Sequence, residues 1–144
     1  SDVYKRQVLR AYLYEALMLL NRAYQNLISM EEGNKEAGGT HISKFIELVG
    51  ADMREHHSVR HYADKLCITP NYLNEIINSA MGMSAKQYIQ NKVMEEAKRL
   101  LAYTDFPVSE IAFELHFSTV SYFVRCFRQC TGETPLVYRS MHKP

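Results

Sequence analysis

No stretch of this 144-residue sequence holds about 18 consecutive apolar residues, the length that a membrane-crossing helix needs. No signal-peptide pattern opens it either. Cysteine is scarce and odd in number, three in all, which excludes a disulfide framework and fits thiols kept reduced in a cytoplasm. Glycine-rich phosphate loops, a nucleophile elbow and paired carboxylates marked by their context are all missing, so nothing supports an enzyme. His56, His57 and His61 lie near Cys67 but lack zinc-finger spacing, and neither a metal nor another cofactor is expected.

A large excess of positive charge is missing as well. Residues 56–144 hold ten Lys and Arg against eight Asp and Glu, and residues 1–55 hold seven against eight. Any nucleic-acid footprint must therefore come from local placement of charge, with a modest salt dependence. No segment reads as a strand.

The most informative stretch runs from Val108 to Tyr138. Val108, Ile111, Ala112 and Leu115 recur at i, i+3, i+4 and i+7, and Phe123, Cys126, Phe127 and Cys130 repeat that spacing after a break. Two short amphipathic helices joined by a few residues predict a helix-turn-helix. Stepping 100° per residue from an inward Phe123 puts Ser121, Arg125 and Arg128 on the outward face, with Val124 beside them. An aromatic inner face and a basic outer face suit a DNA major groove, although two arginines on a helix can equally be a solvated surface. Cys126 and Cys130 fall on the inner face and read as core thiols.

Elsewhere the chain is helical too. Residues 1–7 resemble a translated sequencing adapter and are expected to be a non-native leader. From Val8 to Ile28, Leu9, Leu13, Ala16, Leu20, Tyr24 and Leu27 step by fours and threes along one stripe. That stripe could be a homodimer seam through residues 8–30, the end of a missing upstream domain, or a face packed on the rest of the chain. Residues 31–41 are polar and glycine-rich, the expected flexible linker. Periodicity resumes with Ile42, Phe45, Ile46, Val49 and Met53. Ser58 can cap a short helix, Thr69-Pro70 starts the next, Gly82 ends it, and Ser84 with Gln87 forms a capping box for a long central helix.

An internal repeat of about fifty residues links the two halves. Val59, Ala63, Leu66, Ile68 and Thr69 match Val108, Ala112, Leu115, Phe117 and Ser118 at an offset of 49; Leu73, Ile77, Gly82, Ser84 and Tyr88 match Phe123, Phe127, Gly132, Thr134 and Tyr138 at an offset of 50. The outward face transfers with it, from Ser121, Val124, Arg125 and Arg128 to Asn71, Asn74, Glu75 and Asn78. Asparagine can pair with adenine and glutamate can accept from cytosine, yet these are also ordinary exposed helix residues.

With both units in view, residues 42–141 closely resemble the DNA-binding domain of the AraC/XylS family of bacterial transcription regulators. The likeness rests on Ile111-Ala112 through Phe117, Ser121-Tyr122-Phe123, Phe127, Thr131-Gly132, Thr134-Pro135 and Tyr138-Arg139, together with Tyr88 and the run Glu96-Ala97-Lys98-Arg99-Leu100-Leu101. It implies an all-α fold of two helix-turn-helix subdomains, 42–83 and 104–144, joined by a linker helix over 84–103 and preceded by a separate N-terminal helix over 8–30 from the end of a missing effector or dimerisation domain. It further implies recognition helices entering successive major-groove segments roughly 34 Å apart. Carried over by position, Asn71, Asn74 and Glu75 with Val120, Ser121, Val124 and Arg125 would read bases, and Thr69, Ser118 and Thr119 would approach phosphates. Asn78 and Arg128 complete the two outward faces, and Lys92, Lys98 and Arg99 of the central helix would steady the phosphates. The chain departs from the family pattern in having Glu75 for arginine, Ile77 for an aromatic and His116 for glycine.

The reading of the sequence is thus a cytoplasmic, bacterial, sequence-specific transcription regulator, an activator that recruits RNA polymerase to promoter DNA. The alternative is a degenerate helix-turn-helix domain acting mainly as a protein-interaction module, favoured by the neutral charge and Glu75. An enzymatic reading, a repair domain with a methyl-accepting cysteine, would need an exposed activated thiol.

Overall fold

The computed structural model describes residues 2–28 and 37–144. The described residues form eight helices and no strand: α1 (Asp2–Ile28), α2 (Ala37–Asp52), α3 (Val59–Lys65), α4 (Pro70–Met81), α5 (Ala85–Tyr103), α6 (Val108–Glu114), α7 (Val120–Thr131) and α8 (Pro135–His142). They divide into two compact units, Ser1–Gly50 with Ser58–Tyr88 and Ala51–His57 with Ile89–Pro144. The division falls inside α5, whereas the sequence reading treats 84–103 as a separate linker. Ala51–His57 goes with the second unit because Arg54 pairs with Glu96 and the His57 ring lies 5.1 Å from that of Phe117.

Local chemistry sets most of the helix ends. Ser58, Thr69 and Thr119 take extended backbone and accept from the Arg60, Tyr72 and Tyr122 N–H groups at 3.2, 3.1 and 3.0 Å. Thr134 does the same for Val137 at 3.3 Å, and Ser84 for Gln87 at 3.1 Å. Gly82 and Gly132 end α4 and α7 in the left-handed region, φ 73° and 82°, where a Cβ is disfavoured.

In the first unit, Phe45, Tyr62, Leu73, Ile77, Met81 and Tyr88 are buried, with the Phe45 ring edge-on to Tyr62 at 5.7 Å and tilted to Tyr88 at 5.3 Å. In the second, Ile111, Ala112, Leu115, Phe123 and Phe127 fill the space between α6 and α7. Rings run in sequence through this unit, from Phe117 to Phe123 at 5.1 Å, on to Phe127 at 6.0 Å and to Tyr138 at 5.6 Å. Arg139 closes α8 on the end of α5, donating to the Leu101, Thr104 and Phe106 carbonyls at 3.0, 3.4 and 2.6 Å.

The structure differs from the expected linker bounds and adds two local observations. Ala37–Thr40 of the expected linker form the first turn of α2 despite two glycines; 31–36 lie outside the described residues. Helix α1 begins at Asp2, inside the expected leader, and packs on α4 of the first unit, with the Gln7 amide donating to the Gly82 carbonyl at 3.4 Å. Cys67 is an exposed turn residue with φ 57°, the counterpart of His116 at φ 58°. Both occupy the sharp corner of a helix-turn-helix, and the offset of 49 relates them.

His57 adds a pH dependence to the second unit. Burial pushes its imidazole below the usual value and nearby His116 adds to this, while backbone groups of Arg54, Leu115 and Met53 oppose it; Nε2 is buried without a hydrogen-bond partner. Below an ordinary histidine pKa of about 6.5, the unfolded chain takes up a proton that the folded ring resists. Stability is therefore full above that pH and falls as the pH drops from there toward the lowered folded value. Urea midpoints should decline over this window in the natural chain and flatten in His57→Gln. An equal decline in both would dismiss the assignment.

Candidate nucleic-acid interface

The second unit presents α7 as an amphipathic rod. Phe123, Cys126 and Phe127 point into the core, whereas Val120, Ser121, Val124, Arg125, Arg128 and Gln129 line an open groove along the opposite side. Ser121, Arg125 and Arg128 are exposed and Val124 is half-buried, as the stepping from Phe123 anticipates. Gln129 was missed. It lies at i+4 from Arg125, and the same 100° stepping puts it on the outward side. The only formal charges in the groove are two guanidinium groups, suited to guanine edges or phosphate, beside two valines suited to a thymine methyl group.

Arg125 is held in place. Its guanidinium lies 5.3 Å from the centre of the Tyr122 ring, and that ring is tilted against Phe117 at 5.8 Å. Ser118, Thr119 and Val120 are exposed at the start of α7, where N–H groups not used by the Thr119 cap point outward.

The first unit carries a neutral to acidic version of the same face. Asn71, Glu75 and Asn78 of α4 are exposed, as is Thr69 at its start. Asn74 departs from the expected base-reading row. Its Oδ1 accepts the Ala85 N–H at 3.0 Å, capping α5 from eleven residues upstream, so its acceptor is committed to the α4–α5 corner.

The central-helix cations have partners within the second unit. Arg99 donates to Glu96 through Nε at 3.2 and 3.1 Å and through Nη2 at 2.6 Å, and Arg54 joins the same carboxylate. Hydrogen bonding from Arg99, with help from Arg54 and against the effect of burial, holds the Glu96 carboxyl below its usual range. Lys98 Nζ sits over the Tyr138 ring at 5.9 Å and Lys92 pairs with Glu95 at 3.6 Å. In the single chain all three side chains are thus engaged within the second unit.

Among the thiols, Cys126 is buried and Cys130 half-buried, with burial pushing the Cys130 thiol up and away from reactivity. Among the described residues no group of three or more His, Cys, Asp or Glu could hold a metal ion, and no helix is long and apolar enough to cross a membrane.

A family profile described as a helix-turn-helix domain matches residues 62–141, more than half of the chain and both helix-turn-helix motifs. The chain belongs to the AraC-type helix-turn-helix family. Among its relatives is the arabinose operon regulatory protein of Salmonella typhimurium, 27% identical over 59% of this chain and 30% of that protein. A transcriptional regulator of Chromobacterium violaceum, described as having an AraC-type DNA-binding domain, shares the fold with a TM-score of 0.65 at 19% identity, covering 72% of this chain and 92% of that one. So does the DNA-binding domain of AdpA, solved with a target DNA, at TM-score 0.59 and 23% identity over 67% and 90% of the two chains. This AraC-type chain spans about a third of the length of its Salmonella relative.

Proposed function

We propose that this AraC-type domain is a sequence-specific reader of double-stranded promoter DNA that engages two successive major-groove segments, one with α4 and one with α7. The observation that carries the reading is the outward face of α7, where exposed Arg125 and Arg128 flank apolar and amide side chains on a helix whose other side is locked in the core. Side chains of that kind read base edges when a helix lies in the groove. Val120, Ser121, Val124, Arg125 and Gln129 are the base readers of α7, Arg128 contacts base or phosphate, and Ser118 and Thr119 approach phosphates at its start. In α4, Asn71, Glu75 and Asn78 select sequence without attracting the backbone, and Thr69 takes the position of Ser118 and Thr119. The helix α7 thus supplies most docking energy and α4 mainly selectivity.

The biological role that fits is transcription regulation in the cytoplasm of a bacterium, as an activator in contact with RNA polymerase. A binding role without catalysis accords with a site made of a helix face rather than a cleft.

Exposed Glu75, in a face without any basic residue, favours a second reading in which the first unit docks a protein partner instead of DNA. One experiment decides. Selection from a random-sequence duplex library should enrich a site with two half-elements about ten base pairs apart. Enrichment of a single short element assigns α7 alone to DNA and the first unit to a protein, and failure to enrich any sequence refutes the reading.

A further inference from the structure

Phe117 stands at the junction of three rings in the second unit. Phe123 lies 5.1 Å from it, Tyr122 5.8 Å and His57 5.1 Å, all of them tilted against it. Phe123 is fully buried and fixed in the core, whereas the Tyr122 ring is 44% exposed and owes its place to Phe117 beside it. Tyr122 in turn carries the Arg125 guanidinium at 5.3 Å. Contacts therefore run from His57 through Phe117 and Tyr122 to the outward face of α7. The backbone of Phe117 is pinned, its N–H donating to the Ala112 carbonyl at 3.0 Å, so the surrounding rings govern its side chain.

Of the three neighbours, His57 alone changes charge between about pH 5 and 8. Its seat suits the neutral ring. Nε2 is buried without a hydrogen-bond partner, so a proton added there is a buried donor with nothing to accept it. The groups acting on the ring are the backbone of Arg54, Leu115 and Met53 and the imidazole of His116, which in acid is a second cation. The Arg54 guanidinium is taken up by Glu96, which also holds Arg99, and Glu55 lies 4.0 Å from His56. Across Phe117, α7 presents the Tyr122 phenol and the Arg125 guanidinium, neither of them anionic in this range. The arrangement is special to the second unit. In the first, Ile68 and Glu75 stand where the repeat puts Phe117 and Arg125.

We propose that His57 is a positioning residue for Arg125: neutral, it props the Phe117 and Tyr122 rings that aim the guanidinium, and protonated, it releases them, so that α7 loses base selection in mild acid while charge-driven binding persists. The inference rests on the reading of α7 as a DNA-contacting helix. Protonation turns the imidazole out toward water, uncovers the Phe117 ring and returns rotamer freedom to Tyr122 and Arg125. Attraction to phosphate survives, because no cation is lost and the imidazolium adds one. Preference for the selected duplex over a scrambled one therefore declines as the pH drops below about 6.5, the ordinary histidine value, toward the lowered value of the folded chain.

Anisotropy titrations on selected and scrambled duplexes over a series of pH values, with circular dichroism at each, test this. The ratio of the two affinities should drop about 5-fold or more between about pH 7.5 and about pH 5, while the scrambled duplex is bound at least as tightly. His57→Gln should give a ratio that does not vary with pH. His116→Asn, a residue that tolerates the left-handed backbone, should still show the drop. His57→Lys, a fixed cation, should show at about pH 7.5 the low ratio of the natural chain in acid. A constant ratio in the natural chain, or a falling one in His57→Gln, would overturn the proposal. The free chain supplies a readout that needs no DNA. The Arg125 Nε–H resonance should shift with the same midpoint as the His57 imidazole, and a resonance that stays put while His57 titrates overturns the proposal as well. Failure to bind any duplex, with the resonance shifting as described, would count against the DNA reading and uphold the link between His57 and Arg125.

Discussion

Replacement of Phe127 by alanine is expected to destabilise the second unit by about 3–5 kcal/mol, the range for removing a fully buried aromatic side chain. Phe127 is fully buried, with Phe123 6.0 Å on one side and Tyr138 5.6 Å edge-on at the other. Alanine forfeits the transfer energy of the ring and both aromatic contacts, and it leaves a void at the point where α7 and α8 meet. The neighbours cannot collapse into it, because Phe123 is also fully buried and Arg139 ties α8 to the carbonyls at the end of α5. Phe127→Leu keeps much of the volume and should cost far less. The internal repeat supplies a second control. Ile77, the equivalent of Phe127 in the first unit, is fully buried as well, and Ile77→Ala should cost about 2–5 kcal/mol with no ring contacts to lose. Urea denaturation followed by circular dichroism measures each; a Phe127→Ala loss below that of Phe127→Leu would contradict the packing described.

Legibility in the sequence follows the range of the interaction concerned. Helix ends at Ser58, Thr69, Ser84, Thr119 and Thr134 were readable because a hydroxyl and the N–H it caps lie two or three residues apart. Gly82 and Gly132 were readable for the same reason, each ending its own helix in the left-handed region. The repeat made the outward face of one unit an index to that of the other. What failed involved a distant partner. Asn74 could not be taken out of the reading row without knowing that Ala85 would come within 3.0 Å of it. Lys98 looked like a spare cation until Tyr138, forty residues on, came beneath it, whereas the pairing of Arg99 with Glu96 three residues before it was local and within reach of the sequence. The side of α1 that faces its own chain was likewise hidden. A long apolar helix offers several stripes, and only the contacts of Gln7, Glu15 and Arg22 select one. Cys67 was within reach of the repeat, as the counterpart of His116, but cysteine carries no turn signal of its own.

Removal of the Arg125 guanidinium is expected to lower affinity for the selected duplex by about 1–3 kcal/mol, or roughly 5- to 150-fold, and to relax preference at one base position. Two features set Arg125 apart from Arg128 on the same face. Its guanidinium rests 5.3 Å from the Tyr122 ring centre, and Tyr122 is itself braced by Phe117, so less rotamer freedom is lost when the group engages a base. It also lies nearer the start of α7, the end of a recognition helix that meets base edges. Arg128 sits a turn further on, where a phosphate contact is the natural role. Arg128→Ala should therefore weaken all sequences alike and reduce the slope of log affinity against log salt by about 1. Tyr122 supplies a further discriminant. Tyr122→Phe keeps the ring and should leave affinity nearly unchanged, whereas Tyr122→Ala should lower affinity for the selected site more than for random duplex. Fluorescence anisotropy titrations of the chain and these variants, at several salt concentrations and on selected and scrambled duplexes, separate the roles. If Arg125→Ala lost affinity equally on both duplexes with a shallower salt slope, its guanidinium would be a phosphate contact, and base selection by α7 would pass to Val120, Ser121, Val124 and Gln129.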